Sequence, residues 1–379
     1  MAYIKNMRPT YLEVNLPQLK QNLEAIRAHV HGAKVMPMVK ANAYGHGIEG
    51  VAPFIEPYVD AFGVALVEEA IQLRQLGIRK PILVAGGTLI EQLPLFFEHD
   101  LILTASSLDL LTASEQFAES TRQRLKVHLK IDTGMERVGV HYYEAEEFIL
   151  KASACSHLEV EGVYTHLANS ELAELGNLPE HVVTAQQQLV RFQDVLHIYE
   201  KHNLPMPMRH VCNSGGILNL PEAHLDMVRP GVLFYGVYPG RDIEKKIEVR
   251  PALVWKSRVA YSKVTLPGRS VSYGSLWQAE AQTRIVTVPC GYADGYFRRM
   301  TNQSRVIING KSYPQVGRIC MDQFMVNVGE DDVQVGDEVT LLGGGIAPEE
   351  LAEWTGTNEY EVMTNIRARV PRVYIGAVQ

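Results

Sequence analysis

The sequence predicts an α/β protein: an N-terminal (β/α)8 barrel of the TIM type followed by a mostly β C-terminal domain. Three observations carry this. From about Leu16 to Gly236, short apolar β-branched runs alternate with amphipathic segments at helical spacing, and eight such runs can be counted. A purely parallel sheet needs both faces covered, which a closed eight-fold barrel provides; a doubly wound open sheet is the alternative. Beyond about Arg241 the texture changes to strand-like runs broken by Gly, Pro and Asn turns. The length of 379 residues, 46% of them hydrophobic, suits two domains with separate cores. The expected boundaries are residues 11–240 for the barrel and 241–379, with residues 1–10 as an option, for the β domain; the first ten or so residues, including TYLEVNL, read as a strand free to join either.

In chain order, the expected barrel strands are VMPMVK ending at Lys40, DAFGVA at Ala65, PILVAG at Gly86, LILTAS at Ser106, LKVHLKID at Asp132, VEGVYTHL at Leu167, MRHVCNS at Ser214 and DMVRPGVLFYG at Gly236. Between them, Leu16–Val30, Val67–Gly77 and Pro179–His202 read as amphipathic helices. In the second domain ALVWKSRVAYSKVTL, SVSYGSLW, TRIVTVPCGYADGY, SRVIINGKSYPQVGRICMDQFMVNV and DEVTLLGG read as strands, and APEELAEWTG as a helix opened by Pro348 and closed by Gly356.

Composition excludes several functions. A net charge of −7 and the lack of any long block of like charge argue against a nucleic-acid surface. Cys155, Cys212, Cys290 and Cys320 lie far apart without CxxC or Cys/His ligand spacing, so neither a disulfide framework nor a metal site is expected. The N-terminus has no secretion-type apolar core, and no apolar run approaches the roughly 20 residues needed to span a bilayer. A cytoplasmic protein acting on a small molecule is the expectation.

Barrel active sites lie at the carboxyl ends of the strands, so polar residues closing apolar runs are the candidates. Lys40, Lys130, Asp132, His166, Asn213 and Ser214 stand there, and Arg229 sits within the eighth run. A lysine at an apolar barrel mouth has its ammonium form disfavoured, which frees the amine as a nucleophile suited to a Schiff base. Pyridoxal phosphate, joined to lysine this way, also needs an anion site, and NSGGI and RPGV offer backbone N–H groups.

MVKANAYGHG around Lys40 resembles the pyridoxal-phosphate signature of the alanine racemases, the fold-type III amino-acid racemase family. The likeness recurs along the whole chain in LKIDTGMERVGV, VYTHLANS, NSGG, VRPGVLFYG, VSYGSLW, CGYADGY, VGRICMDQ and EYEVMTNI. It implies that Lys40 holds pyridoxal 5′-phosphate as an internal aldimine and serves as acid/base on one face of the substrate Cα, acting on the D-enantiomer. Tyr273 is implied as the base on the other face, acting on the L-enantiomer. Arg229 is implied to face the pyridine nitrogen with His166 in support. Tyr44, Ser214, the N–H groups of Gly231 and Val232, and Tyr360 are implied phosphate ligands. Arg137 and the Met321 N–H correspond to substrate-carboxylate contacts, and Lys130 to a lysine often carbamylated in the family. The resemblance also implies a homodimer whose composite sites borrow Tyr273 and Met321 from the partner, and a role in supplying D-alanine for peptidoglycan. A serine or broad-specificity racemase is the alternative within this chemistry. A non-catalytic pyridoxal-phosphate carrier and a decarboxylase or aldolase of the same fold are the alternatives outside it. His46 receives no role beyond a structural one.

Overall fold

The computed structural model describes residues 8–171, 181–240 and 243–376. The junction expected near Arg241, the first residues up to Met7, and Pro179 and Glu180 of the predicted long helix lie outside the described residues. The chain forms two compact units. One comprises Leu19–Ala43 and Ile48–Arg250; the other comprises the described residues up to Gln18, Tyr44–Gly47, and those from Pro251 onward.

The first unit is a ring of eight parallel strands: Lys34–Val35, Phe62–Val64, Ile82–Val84, Ile102–Ala105, Leu125–Asp132, Leu158–Tyr164, Met208–His210 and Met227–Val228. Each pairs in parallel with its neighbour, and the Lys34–Val35 strand pairs with Met227–Val228. A parallel bridge between Met38 and Gly63, with the Val39 N–H donating to Gly63 O at 2.8 Å, joins the two ends of the order. The strands are almost continuously buried, as expected where helices cover the outside and side chains fill the inside. Helices follow the strands with conventional ends. Thr184 caps Ala185–Lys201 in a capping box with Gln187, and Ser107 caps Leu108–Thr121.

The second unit contains a nine-stranded sheet. Its order is Tyr261–Thr265, Thr283–Val288, Phe324–Gly329, Lys311–Val316, Arg305–Ile308, Glu338–Leu342, Leu253–Arg258, Tyr11–Asn15 and Arg372–Ile375. The TYLEVNL strand thus belongs to this sheet, antiparallel to Leu253–Lys256 and parallel to Arg372–Ile375. Trp255, Tyr296 and Phe324 centre the core, with Tyr296 and Phe324 stacked 4.5 Å apart. The helix Pro348–Thr355 ends at Gly356, whose φ of +67° is the left-handed conformation that stops a helix.

Three elements differ from expectation. The run VLFYG is a 3₁₀ turn, Val232–Tyr235, because the barrel strand before it ends at Val228. VSYGSLW carries a 3₁₀ turn at Tyr273–Ser275, forced by positive φ at Ser272, Gly274 and Ser275. Lys40 does not close a strand: Ala41, Asn42, Ala43 and Tyr44 all have φ between 50° and 55°, a left-handed helical turn built without glycine.

Candidate active site

The barrel brings Lys40, Lys130, Arg137, His166, Ser214 and Arg229 to the carboxyl-end rim of its strands. Lys40 opens the left-handed turn, whose handedness costs each L-residue about 1–2 kcal/mol. Three bonds hold it there. The Ala41 N–H donates to Glu69 Oε1 at 2.6 Å, the Ala43 N–H to Val39 O at 2.9 Å, and the Asn42 Oδ1 accepts the Ile48 N–H at 2.8 Å, starting the next helix. Burial, helped by the charge of Arg137 and opposed by Glu69, pushes the Lys40 pKa below the ordinary lysine value.

Arg229 is buried and forms no ion pair with a carboxylate among the described residues. One nitrogen donates to His210 Nδ1 at 2.7 Å; the other donates to Thr165 O at 2.8 Å and Val211 O at 3.1 Å. His166 Nδ1 stands further off at 3.5 Å. Because His210 accepts at Nδ1, its proton sits on Nε2, which donates to His128 Nδ1 at 2.9 Å. Tyr164 stacks on His210 at 4.5 Å and donates or accepts at Thr104 Oγ1, 2.8 Å away. Burial, reinforced by Arg229, holds both His128 and His210 well below the ordinary imidazole value, so the chain stays neutral. Burial also lowers Arg229, to about 10, which leaves it charged at neutral pH.

Lys130 Nζ is buried over the Tyr164 ring at 4.5 Å and has no hydrogen-bond partner among the described residues. Burial first, then Arg229, depress its pKa well below the lysine value against the pull of Asp132, with Arg137 adding to the depression. His166 is likewise held well below its ordinary value, by burial and then by Lys130, Arg229, Arg137 and Lys40, which marks these five as one electrostatic cluster. Asp132 shapes the loop that carries Arg137: its carboxylate accepts the N–H groups of Gly134 (2.8 Å), Met135 (2.9 Å) and Arg137 (3.2 Å).

On the same rim, Asn213 caps the turn Ser214–Asn219 by accepting the Gly216 N–H at 3.0 Å. The Ser214 Oγ accepts the Gly231 N–H at 2.9 Å and the Leu233 N–H at 3.3 Å, so its hydroxyl proton is left to donate outward. Among the described residues no acceptor takes the Val232 N–H. These groups can hold an anion.

The second unit carries Tyr44, Tyr273, Met321 and Tyr360. The Tyr44 and Tyr360 rings lie 6.1 Å apart. Gly45 follows Tyr44 with φ +82°, and a Cβ there would lie 2.2 Å from Met363 O, so only glycine fits. His46 is buried, its Nδ1 3.1 Å from Tyr44 O. Tyr273 is 71% exposed and Met321 52%, and both line an open groove of about 1320 Å³ with Arg298, Arg318, Cys320 and Asp322. Ser272 Oγ donates to Arg318 O at 2.6 Å, which holds the turn that presents Tyr273.

Residues 14–239 match the alanine racemase N-terminal domain and residues 252–374 the alanine racemase C-terminal domain. The chain belongs to the alanine racemase family. It is 41% identical to the alanine racemase of Carboxydothermus hydrogenoformans over 97% of this chain and all of that one. With that of Chlorobaculum tepidum the identity is 42%, over 96% of this chain and 94% of the other. Among solved structures, alanine racemase of Clostridium difficile 630 superposes with TM-score 0.90 at 36% identity, covering 97% of this chain and 96% of that chain. The Bacillus anthracis alanine racemase with bound L-Ala-P gives 0.89 at 31%, covering 98% and 96%.

Family motifs pointed to neither His210 nor His128. His128 lies inside the strand Leu125–Asp132, and His210 closes the strand Met208–His210, four residues short of the end expected at Ser214. One signal was present: Gly162 interrupts VEGVY, and a Cβ there would meet the His128 ring at 2.6–2.7 Å.

Proposed function

We infer that the chain is an amino-acid racemase, an isomerase that interconverts L- and D-alanine with pyridoxal 5′-phosphate and so supplies D-alanine for peptidoglycan. The observation that carries this reading, beside family membership, is the pairing on one rim of an amine held below its ordinary pKa with a buried guanidinium that no carboxylate among the described residues neutralises.

The residues present fit the cofactor. Lys40 supplies the amine for covalent attachment, and Arg229 supplies a charged donor for the pyridine nitrogen, with His166 beside it. Ser214, the N–H groups of Gly231 and Val232, and the phenols of Tyr44 and Tyr360 supply donors for the phosphate. When bound, the cofactor withdraws electrons from the substrate Cα and makes its hydrogen acidic. Lys40 then moves the proton on the face used by D-alanine, and the partner subunit's Tyr273 the proton on the face used by L-alanine. Two bases on opposite faces let one remove a proton while the other returns one. Arg229 donates without giving up its proton, which moderates electron withdrawal and favours reprotonation over loss of carbon dioxide. Arg137 and the partner subunit's Met321, through its N–H, bind the substrate carboxylate. A carbamate on Lys130 would give Arg137 an anionic neighbour; the unpartnered, depressed amine of Lys130 supports it.

A homodimer with composite sites follows from this assignment, and the exposure of Tyr273 and Met321 supports it. Among the described residues no helix is long and apolar enough to cross a membrane. Kinetics on alanine, serine and lysine with Cα–H exchange in deuterated water test the reading. Alanine is expected to have the highest kcat/KM. A serine value above it, or no Cα exchange by the holoenzyme, would sink the assignment, and full activity of a dilute monomer would sink the composite site.

A further inference from the structure

We propose that Arg369 is a positioning residue for the Met321 N–H, acting through Asp322 and anchored on the buried carboxylate of Asp294. The proposal rests on the reading above, in which that N–H receives the substrate carboxylate.

Asp294 has no exposed side-chain surface. A buried carboxylate costs several kcal/mol unless paired and hydrogen-bonded, and this one is doubly supplied. Its Oδ1 takes Arg8 and the Arg369 Nε, the latter at 2.6 Å, and its Oδ2 accepts the Gly291 N–H at 2.9 Å. Arg8 also donates to Arg369 O at 2.8 Å, so backbone and guanidinium of Arg369 are both fixed. The remaining arm of Arg369 donates to Asp322 Oδ1 at 2.6 Å. Hydrogen bonds to Asp294 and then to Asp322 hold the guanidinium above its ordinary pKa.

Asp322 directly follows Met321, whose peptide is otherwise gripped by the turn that contains Asp294. The Ala293 N–H donates to Met321 O at 3.0 Å and the Tyr292 N–H to Cys320 O at 3.1 Å. Gly291 lies so close that a Cβ would sit 2.3 Å from Met321 O. The Met321 carbonyl is therefore committed, while its N–H has no acceptor among the described residues. Asp294 is satisfied without the second arm of Arg369, and Asp322 is 63% exposed, where an ion pair adds about 0–1 kcal/mol at most. The consequence of the Arg369–Asp322 bond is thus placement of a loop rather than stability.

Asp322→Asn removes the charge on the bridge without touching Asp294, and the holoenzyme dimer is the sample. KM for both enantiomers is expected to rise about 5–10-fold with kcat changed less than about 2-fold, because binding is lost in ground and transition state alike. Inhibition by propionate, which is alanine without its amino group, is expected to weaken by the same factor. The urea midpoint and the cofactor absorbance are expected to stay put. Arg369→Gln gives the same KM shift, the double variant adds nothing to it, and Arg369→Lys recovers part of it. Wild-type KM and propionate inhibition in Asp322→Asn would overturn the proposal while leaving the racemase reading intact. A wild-type enzyme that racemises alanine but ignores propionate would overturn the carboxylate assignment and the proposal together.

Discussion

Gly45 and Gly77 form a matched pair that separates backbone strain from steric contact. Their φ values are +82° and +85°, but a Cβ on Gly45 would lie 2.2 Å from Met363 O and 3.0 Å from its carbonyl carbon, whereas nothing lies within 4 Å of one on Gly77. Alanine at either position meets the left-handed penalty of about 1–2 kcal/mol, offset by about 0.4–1 kcal/mol from a stiffer unfolded chain. Gly77→Ala should therefore cost about 0.5–1 kcal/mol. Gly45→Ala adds overpacking against a backbone carbonyl, about 1–3 kcal/mol more, for a total of about 1.5–4 kcal/mol. Urea unfolding at constant m reads the difference. Met363 belongs to the helix Glu359–Thr364 that carries Tyr360, so its displacement should also move Tyr360 from its 6.1 Å approach to Tyr44. If the two tyrosines hold the cofactor phosphate, cofactor affinity falls about 10-fold in Gly45→Ala, equivalent to about 1.4 kcal/mol, and is unchanged in Gly77→Ala. Equal destabilisation of the two variants would refute the steric reasoning. Unequal stability with equal cofactor affinity would refute the link to Tyr360.

Lys40→Ala and Tyr273→Phe, assayed with each alanine enantiomer in deuterated water, should lose Cα exchange face by face; retained exchange from L-alanine in Lys40→Ala but not in Tyr273→Phe is the expected pattern, and the reverse counts against the assignment. Carbon dioxide depletion should raise KM if Lys130 is carbamylated, with native mass spectrometry showing the adduct lost; an unchanged mass and KM would argue for the free amine. The Asp132 carboxylate lies below its ordinary pKa: burial would raise it, but the N–H groups of Gly134, Glu136, Arg137 and Met135 outweigh that. Its folded pKa being the lower one, its contribution is full above the unfolded value near about 4 and fades as pH falls toward the folded value. Asp132→Asn should flatten the acid side of the stability curve, read as urea midpoints between about pH 3 and 6; a parallel curve would contradict the assignment.

The barrel was legible because its signal is redundant. Strands of two to eight residues leave little periodicity each, but eight returns of an apolar run between helices define the architecture. The strand-end rule also found most of the rim, because Asp132, His166, Ser214 and Arg229 stand where a strand stops or just beyond. What failed was local handedness. Nothing in the composition of KANAY announces a left-handed turn, since Ala and Tyr prefer the opposite hand; Asn42 alone tolerates it. The conformation is imposed by tertiary bonds from Glu69 and Ile48, which sequence spacing does not reveal. Strain that the surroundings over-determine is characteristic of functional sites, and here it displaces Lys40 from the strand that the apolar run predicts.

The interior of the barrel was the other blind spot, and its chemistry bears on why Arg229 can act as proposed. A carboxylate behind this guanidinium would pair with it and neutralise its charge. His210 accepts instead as a neutral imidazole, passes its own N–H to His128, and the chain ends without a counter-ion. The guanidinium keeps its charge in a buried site, where electrostatic interactions are stronger than in water, with burial lowering it only to about 10. His210→Phe would leave one Arg229 nitrogen unpaired and should cost about 1–3 kcal/mol, together with a changed cofactor absorbance. His210→Asp should instead pair with Arg229 and neutralise its charge, so that racemisation falls. If His210→Asp retained full racemase activity, the uncompensated charge would not be what the network preserves.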